Sequence, residues 1–226
     1  MEKIKVKDLV VRPITAKTAI AFIKKWHYSG GVMMSSWLHL GVFHGEKLGG
    51  VMSFGTPINK KGSIRMVRDT KWEGMIELAR MAFADWLPKN SESRSLAVAM
   101  RLIKKNYPAI EWVLSFSDAC QCGDGTIYRA SGFYLIRIKK NTTMLIIDGK
   151  EVIADKNLND ARYRASGKPQ RKELMESGRA KPLEGFQLTY LMPLNDTVLD
   201  RLVTKPIPYS EIARMGAGMY KGESRA

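Results

Sequence analysis

The chain is 226 residues long, 45% hydrophobic and 26% charged, a composition that excludes a disordered or low-complexity polymer and suffices for a sizeable core. Lys and Arg number 37 against 22 Asp and Glu, a net charge of +15 that suits a polyanionic partner; the plain alternative is a soluble basic surface. Two cysteines one residue apart, Cys120 and Cys122, exclude a disulfide framework, and with no signal pattern and no apolar run of about 18 residues a cytoplasmic protein without a membrane partner is expected.

Residues 5–14 alternate loosely (Val6, Leu9, Val11) and close on Arg12-Pro13, as a strand entering a turn does. Thr15 can then cap a helix reaching Tyr28, with Ala19, Ile20, Phe22, Ile23 and Trp26 on one apolar face and Gly30-Gly31 as its stop. Strands over 37–43 and 48–54 join through His44-Gly45-Glu46-Lys47 as a hairpin. Residues 55–74, rich in Lys and Arg and poor in core residues, read as a surface loop. Ile76, Leu78, Met81 and Phe83 alternate as a strand with a local irregularity, which Pro88 breaks. A polar turn over 89–95 follows. Leu96, Ala99, Met100, Ile103 and Tyr107 then recur at helical spacing as far as Asn106 and Pro108, and 112–116 is again a strand.

Strand, turn, helix and strand form one βαβ unit, whose strands must be parallel. Beyond it come a short helix at 125–131, a strand at 133–138 and a hairpin over 142–152 turning at Asp148-Gly149. A basic stretch over 155–181 carries too little apolar surface for a core of its own, and 186–192 returns as a last strand. The pentapeptide YRASG occurs at 128–132 and 163–167 with different flanks, which makes it a coincidence and not a repeat. The expected fold is mixed α/β, antiparallel in its first half with a central parallel strand pair and flanking helices. One domain is expected over 1–192, with a basic insertion at about 155–181 and an extended C-terminal tail over 193–226.

The turn Lys89-Asn90-Ser91-Glu92-Ser93-Arg94-Ser95 opens a helix. Unpaired amides and the positive end of the helix dipole suit a pyrophosphate there; the hydroxyls of Ser91, Ser93 and Ser95 add donors, and Lys89 and Arg94 add charge. Ser and Asn are equally at home at a helix start with no ligand at all.

Strand, turn, helix and strand, followed by Gly125-Thr126-Ile127-Tyr128-Arg129-Ala130-Ser131-Gly132-Phe133, resemble the acyl-CoA-binding core of the GNAT acyltransferase superfamily. Serines stand where that superfamily's phosphate turn carries glycines. Leu78-Ala79-Arg80, Pro88-Lys89-Asn90-Ser91-Glu92-Ser93-Arg94, Ser115-Phe116-Ser117-Asp118, Gly125-Thr126-Ile127-Tyr128 and, upstream, Trp26-His27-Tyr28-Ser29 together resemble the Mom family of phage DNA-modification proteins. The resemblance covers roughly 11–141. It implies a GNAT-like, mostly antiparallel twisted sheet, acetyl-CoA or a related acyl-CoA as donor, and transfer of an acetamido (carbamoylmethyl-type) group to the exocyclic amine of adenine in double-stranded phage DNA, which blocks restriction. An N-acetyltransferase acting on a protein, tRNA or small amine is the competing enzyme, and a DNA-binding protein on a decayed GNAT scaffold the non-enzymatic alternative.

On this resemblance Tyr128 is a candidate acid for a departing thiolate, against the alternative of a core tyrosine beside Phe133. Backbone amides around Met81 and Phe83 could polarise a carbonyl. Ser117 and Asp118 end a strand, where α/β sheets gather ligands; Asp118 could accept a proton or be a turn aspartate. Arg80 faces the substrate or pairs with Asp118. His27, with an ordinary pKa near neutrality, is the general-base candidate, with Tyr28 beside it on the acceptor side. No His-x-His or His-x-x-Glu spacing supports a metal, and none is assigned. His39 and His44 read as strand and turn residues, and both cysteines as ordinary thiols.

An adenine amine inside a base pair must be extruded or met in melted DNA. Trp37, Trp72, Trp86 and Tyr28 are candidate stacking residues, with core packing the favoured alternative for Trp37. Lys60, Lys61, Arg65 and Arg68 in one loop, and Arg162, Arg164, Lys168, Arg171 and Lys172 in another, suit phosphate contacts; solvated charged loops are the alternative. The sequence sets no oligomeric state, and a homodimer stays open.

Overall fold

The computed structural model describes residues 4–31, 34–121, 123–154, 171–220 and 223–224. The elements are β1 (Val10–Pro13), α1 (Ala16–Trp26), β2 (Ser36–His44), β3 (Lys47–Gly55), α2 (Lys60–Ser63), β4 (Met75–Phe83), α3 (Ser91–Asn106), β5 (Trp112–Asp118), α4 (Thr126–Ala130) and β6 (Tyr134–Lys140). They continue with β7 (Met144–Ile147), β8 (Glu151–Ala154), α5 (Arg171–Glu176), β9 (Ala180–Pro182), β10 (Phe186–Pro193), α6 (Thr197–Asp200), α7 (Ser210–Arg214), β11 (Met219–Tyr220) and β12 (Glu223–Ser224). A seven-stranded sheet runs β1-β2-β3-β4-β5-β10-β6. Its first four strands pair antiparallel, and β4 pairs parallel with β5 through the α3 crossover, which is the mixed α/β arrangement expected.

Two compact units share the chain: Met1–Phe116, Gly125–Arg137 and Thr189–Pro208 form the first, and Ser117–Asp124, Ile138–Leu188 and Tyr209–Ala226 the second. In the first unit Thr15 caps α1, its hydroxyl accepting the Thr18 N–H at 3.2 Å, and the helix buries Ala19 and Ile23 on Val51 of β3 and Ala82 of β4. The expected irregularity in β4 is a one-residue register shift: Ser53 faces Arg80 and Phe54 faces Leu78, so Ala79 is the extra residue. A second core gathers Val67, Met75, Trp112, Leu114, Ile136, Leu191 and Val198.

Two expectations change here. The segment 55–74 is not only a surface loop, because Val67 is 1% exposed, bridges to Leu202, and Thr70 Oγ1 accepts the Trp112 indole N–H at 3.2 Å. The chain after Pro193 is not simply extended either. It forms α6 and α7 and buries Val198 and Ile212, while Ile207 donates its N–H to Leu135 O at 2.7 Å as an extended segment would.

The second unit has its own small core of Leu145, Ile147, Leu174 and Ala180 under the sheet β8-β7-β9. The described end of the basic stretch thus contributes Leu174 and Ala180 to a core it shares with Leu145 and Ile147 of the hairpin, and not to one of its own. Buried Asn141 fixes the hairpin's entry by donating to Met144 O and Leu183 O and accepting from Thr143 N and Met144 N, which satisfies all of its amide's bonding directions.

Candidate functional site

Pairing between β4 and β5 ends at Leu78 and Ser115, while β4 continues to Phe83. Beyond that point the β4 backbone has no ladder partner on its β5 side, and the sheet opens. Ser115 Oγ donates to Leu78 O at 3.4 Å at the apex of the opening. Arg80 Nη1 takes up the Ala79 carbonyl at 2.6 Å, and Met81 and Phe83 lie half-buried along the same edge. An opened parallel pair exposes alternating amides and carbonyls with fixed directions, which is what a carbonyl-bearing ligand needs.

At the mouth of the opening α3 begins. Asn90 holds φ 71° and contributes no side-chain cap; its backbone accepts from Arg94 N at 3.1 Å. The serines behave differently from expectation. Ser91 Oγ donates to Pro88 O at 2.5 Å and Ser93 Oγ to Asn90 O at 3.3 Å, while Ser95 is 1% exposed and its hydroxyl has no partner among the described residues. The hydroxyls of Ser91 and Ser93 therefore brace the turn; the Ser91 N–H is itself bonded to Pro88 O, which leaves the amides of Glu92 and Ser93 with the exposed side chains of Lys89 and Arg94. This donor set, cationic and rich in backbone N–H, fits the pyrophosphate of a CoA thioester.

Tyr128 sits on α4. Gly132, at φ 83°, ends that helix: its N–H bonds Arg129 O at 3.1 Å, and the Phe133 N–H bonds Tyr128 O at 3.0 Å. This paired arrangement is a Schellman motif, which brings the residue after the glycine onto the residue three before the cap. The Tyr128 and Phe133 rings accordingly lie 5.4 Å apart, and the Tyr190 ring meets Tyr128 at a tilt with centroids 5.1 Å apart. The tyrosine-to-Gly-Phe spacing is therefore a helix stop that also fixes the phenol's direction. Tyr190, 0% exposed, was not singled out from the sequence, although its strand alternates; Gly125 makes room for it, since a Cβ there would come within 2.4 Å of the Tyr190 ring.

Ser117 and Asp118 belong to the second unit. Ser117 Oγ donates to Gly123 O at 2.6 Å, and Asp118 Oδ1 accepts from Cys120 N at 3.0 Å and from Gln187 Nε2 at 2.8 Å. Both side chains thus hold the turn after β5 in shape. Cys120 is buried in this turn, its Sγ donating to Phe186 O at 3.7 Å, and Cys122 lies outside the described residues.

On the acceptor side, burial, and secondarily the Arg80 guanidinium, lower the His27 pKa to about 4. His27 is therefore not a group titrating near neutrality; desolvation leaves it neutral there. Its Nδ1 accepts the Ser29 N–H at 3.2 Å and meets Ser29 Oγ at 2.9 Å, so Nε2 carries the proton and is a donor, not the expected base. Arg80 Nε donates to Gly31 O at 2.9 Å, and Tyr28, 58% exposed, stacks on His27 with centroids 4.4 Å apart. His39, Ser53 and Arg80 face one another across β2, β3 and β4. His39 Nδ1 lies 2.8 Å from Ser53 Oγ, beside a cavity of about 120 Å³ that Ser36 and α1 also line. Only strand register brings these residues together, which is why a residue-by-residue reading left His39 as a strand residue. Among the described residues no three His, Cys, Asp or Glu gather as a metal site.

The basic residues divide. Lys60 Nζ lies 4.7 Å over the Trp72 ring, Lys61 follows it on α2, and Arg65 lies in the 3-10 helix Ile64–Met66 directly after. Arg68 is tied down, donating to Asp200 O at 3.0 Å. Arg171 donates to Thr142 O at 2.8 Å, Lys172 lies on α5, and Arg162, Arg164 and Lys168 lie outside the described residues. Trp37 is 51% exposed and meets Tyr107 edge-on at 5.5 Å, so it is not the core residue expected.

The described residues contain no helix long and apolar enough to cross a membrane. The chain is 41% identical over 137 residues to the methylcarbamoylase mom of Escherichia phage Mu, covering 60% of this chain and 56% of that protein; the chain thus matches just over half the length of this relative. Solved structures of similar arrangement include a Bacillus subtilis acetyltransferase in complex with CoA (TM-score 0.46, 11% identity, 83% of this chain and 99% of that one). Another is the ribosomal-protein-S18-alanine N-acetyltransferase of Escherichia coli (TM-score 0.47, 9% identity, 83% and 95%). The Mom protein family model matches residues 8–211, and the chain belongs to that family.

Proposed function

We propose that this chain is a DNA-modifying transferase that attaches an acetamido (carbamoylmethyl-type) group to the exocyclic amine of adenine in double-stranded phage DNA and so protects it from restriction. The observation that carries the reading is its 41% identity to a phage methylcarbamoylase within a family match over 8–211. Acetyl-CoA or a related acyl-CoA, when bound, would supply a thioester carbonyl carbon whose C–S bond breaks as a C–N bond to an amine forms, the amide nitrogen of the transferred group coming from that amine and not from the thioester. The Glu92 and Ser93 amides at the start of α3 with Lys89 and Arg94 would hold its phosphates, and the β4 edge from Met81 to Phe83, beyond the pairing with β5, would orient its carbonyl. Tyr128, in ring contact with Phe133 and Tyr190, would hold a proton at its phenolic oxygen for a departing thiolate. His27 offers Nε2–H to a ring-nitrogen acceptor of the extruded base, and Tyr28 offers a stacking face. Ser117 and Asp118 shape the turn after β5, and Lys60, Lys61 and Arg65 contact DNA phosphates. Such an enzyme works in the cytoplasm of the host cell.

The test is to challenge DNA from cells expressing the protein with restriction nucleases whose sites contain adenine. Resistance is expected; complete sensitivity from cells holding folded protein contradicts the reading.

A further inference from the structure

A surface groove separate from the opened sheet lies between the outer face of α1, the start of β3 and the loop after β4. Phe22, Trp26 and Trp86 line it together with Lys17, Lys25 and Lys47. It measures about 620 Å³, space for more than one planar ring system, and no carboxylate is among its lining residues. The three rings are half-buried, and Phe22 and Trp26 pack against the Ala19, Ile23, Val51 and Ala82 core of the first unit. Phe22 and Trp26 stack with centroids 6.1 Å apart, and Trp86 lies on the bare backbone of Gly49, where a Cβ would come within 2.7 Å of the indole. The lysines extend the platform: Lys25 Nζ lies 5.4 Å over the Trp26 ring and Lys47 Nζ 4.2 Å over Trp86.

Aromatic faces that stack bases in any order, flanked by ammonium groups that follow a phosphate chain, are the chemistry of single-stranded polynucleotide binding. An acidic peptide would use the charges and leave the rings idle; a double helix would present its backbone to the lysines and no base faces to the rings. We infer that this groove binds an unpaired stretch of DNA. The inference deepens the proposed function and rests on it for its biological sense, because an enzyme that extrudes a base needs somewhere to hold strand that has left the duplex.

The test uses fluorescence-labelled oligo(dT), which contains no adenine and so reports the groove and not the reaction. The full-length protein is expected to bind it, and Lys17→Glu/Lys25→Glu/Lys47→Glu should weaken binding at least about 10-fold and cut the salt slope by about 2, from about 0.7 per phosphate lost. Trp26→Phe and Trp86→Phe should each remove part of the fluorescence quenching seen with oligo(dT), and polyphosphate, which cannot stack, should produce none. Circular dichroism melts check that each variant is folded. Unchanged oligo(dT) affinity in the folded triple variant overturns the groove even if DNA modification is real. Equal competition by poly-glutamate overturns it in favour of an acidic protein partner. Lost oligo(dT) binding in a protein whose wild type never modifies DNA keeps the groove and removes the proposed reaction.

Discussion

His27 makes stability depend on acid. Its folded pKa, about 4, lies below the ordinary histidine value of 6.5, so the unfolded chain binds the proton more tightly. Stability is therefore full above pH 6.5 and is lost as the pH falls towards 4, with the buried His39, also lowered chiefly by burial, acting in the same direction. With part of the His27 ring open to solvent, the loss from this residue is about 1–2 kcal/mol. Melting curves between pH 7.5 and 4.5 should show His27→Gln flattening the decline; a parallel decline in the variant contradicts the assignment. Tyr128→Phe keeps both ring contacts and removes only the hydroxyl. It should leave the melting temperature in place and lower the modification rate about 100-fold, measured as modified nucleoside formed per unit time. An unchanged rate removes Tyr128 from the chemistry.

Elements formed by local rules were legible in the sequence, and elements completed by distant partners were not. Thr15 and the first turn of α1, the stop at Gly132 and the irregularity in β4 all follow from a few consecutive residues. Val67 and Val198 carry no periodicity of their own; they become core only because the loop before β4 and α6 lie on the same sheet. The Arg80 bond to Gly31 O spans 49 residues, and the His39 to Ser53 pair depends on hairpin register. The serine-rich turn was visible, but whether its hydroxyls face a ligand or brace the turn depends on backbone direction, which spacing does not carry. Gly125 tests the packing of α4. Its φ of 77° and the Tyr190 ring both exclude a side chain, so Gly125→Ala should cost about 2–4 kcal/mol in chemical denaturation. A cost below about 0.5 kcal/mol means that α4 is not held against Tyr190 as described.

For the whole molecule, the charge of +15 and the family membership point in one direction and the placement of the lysines and arginines refines it. Arg68 and Arg171 are partly spent on backbone carbonyls, so net charge alone overstates the phosphate contacts available. DNA affinity should still fall steeply with salt, with duplex binding following the basic surface and single-strand binding the groove. The central claim concerns the product, and intact-nucleoside mass spectrometry of DNA from expressing cells tests it most directly. The account predicts a deoxyadenosine heavier by one acetamido group, absent from cells carrying Tyr128→Phe at the same sampling time. Unmodified deoxyadenosine throughout, in cells that accumulate the folded wild-type protein, contradicts it.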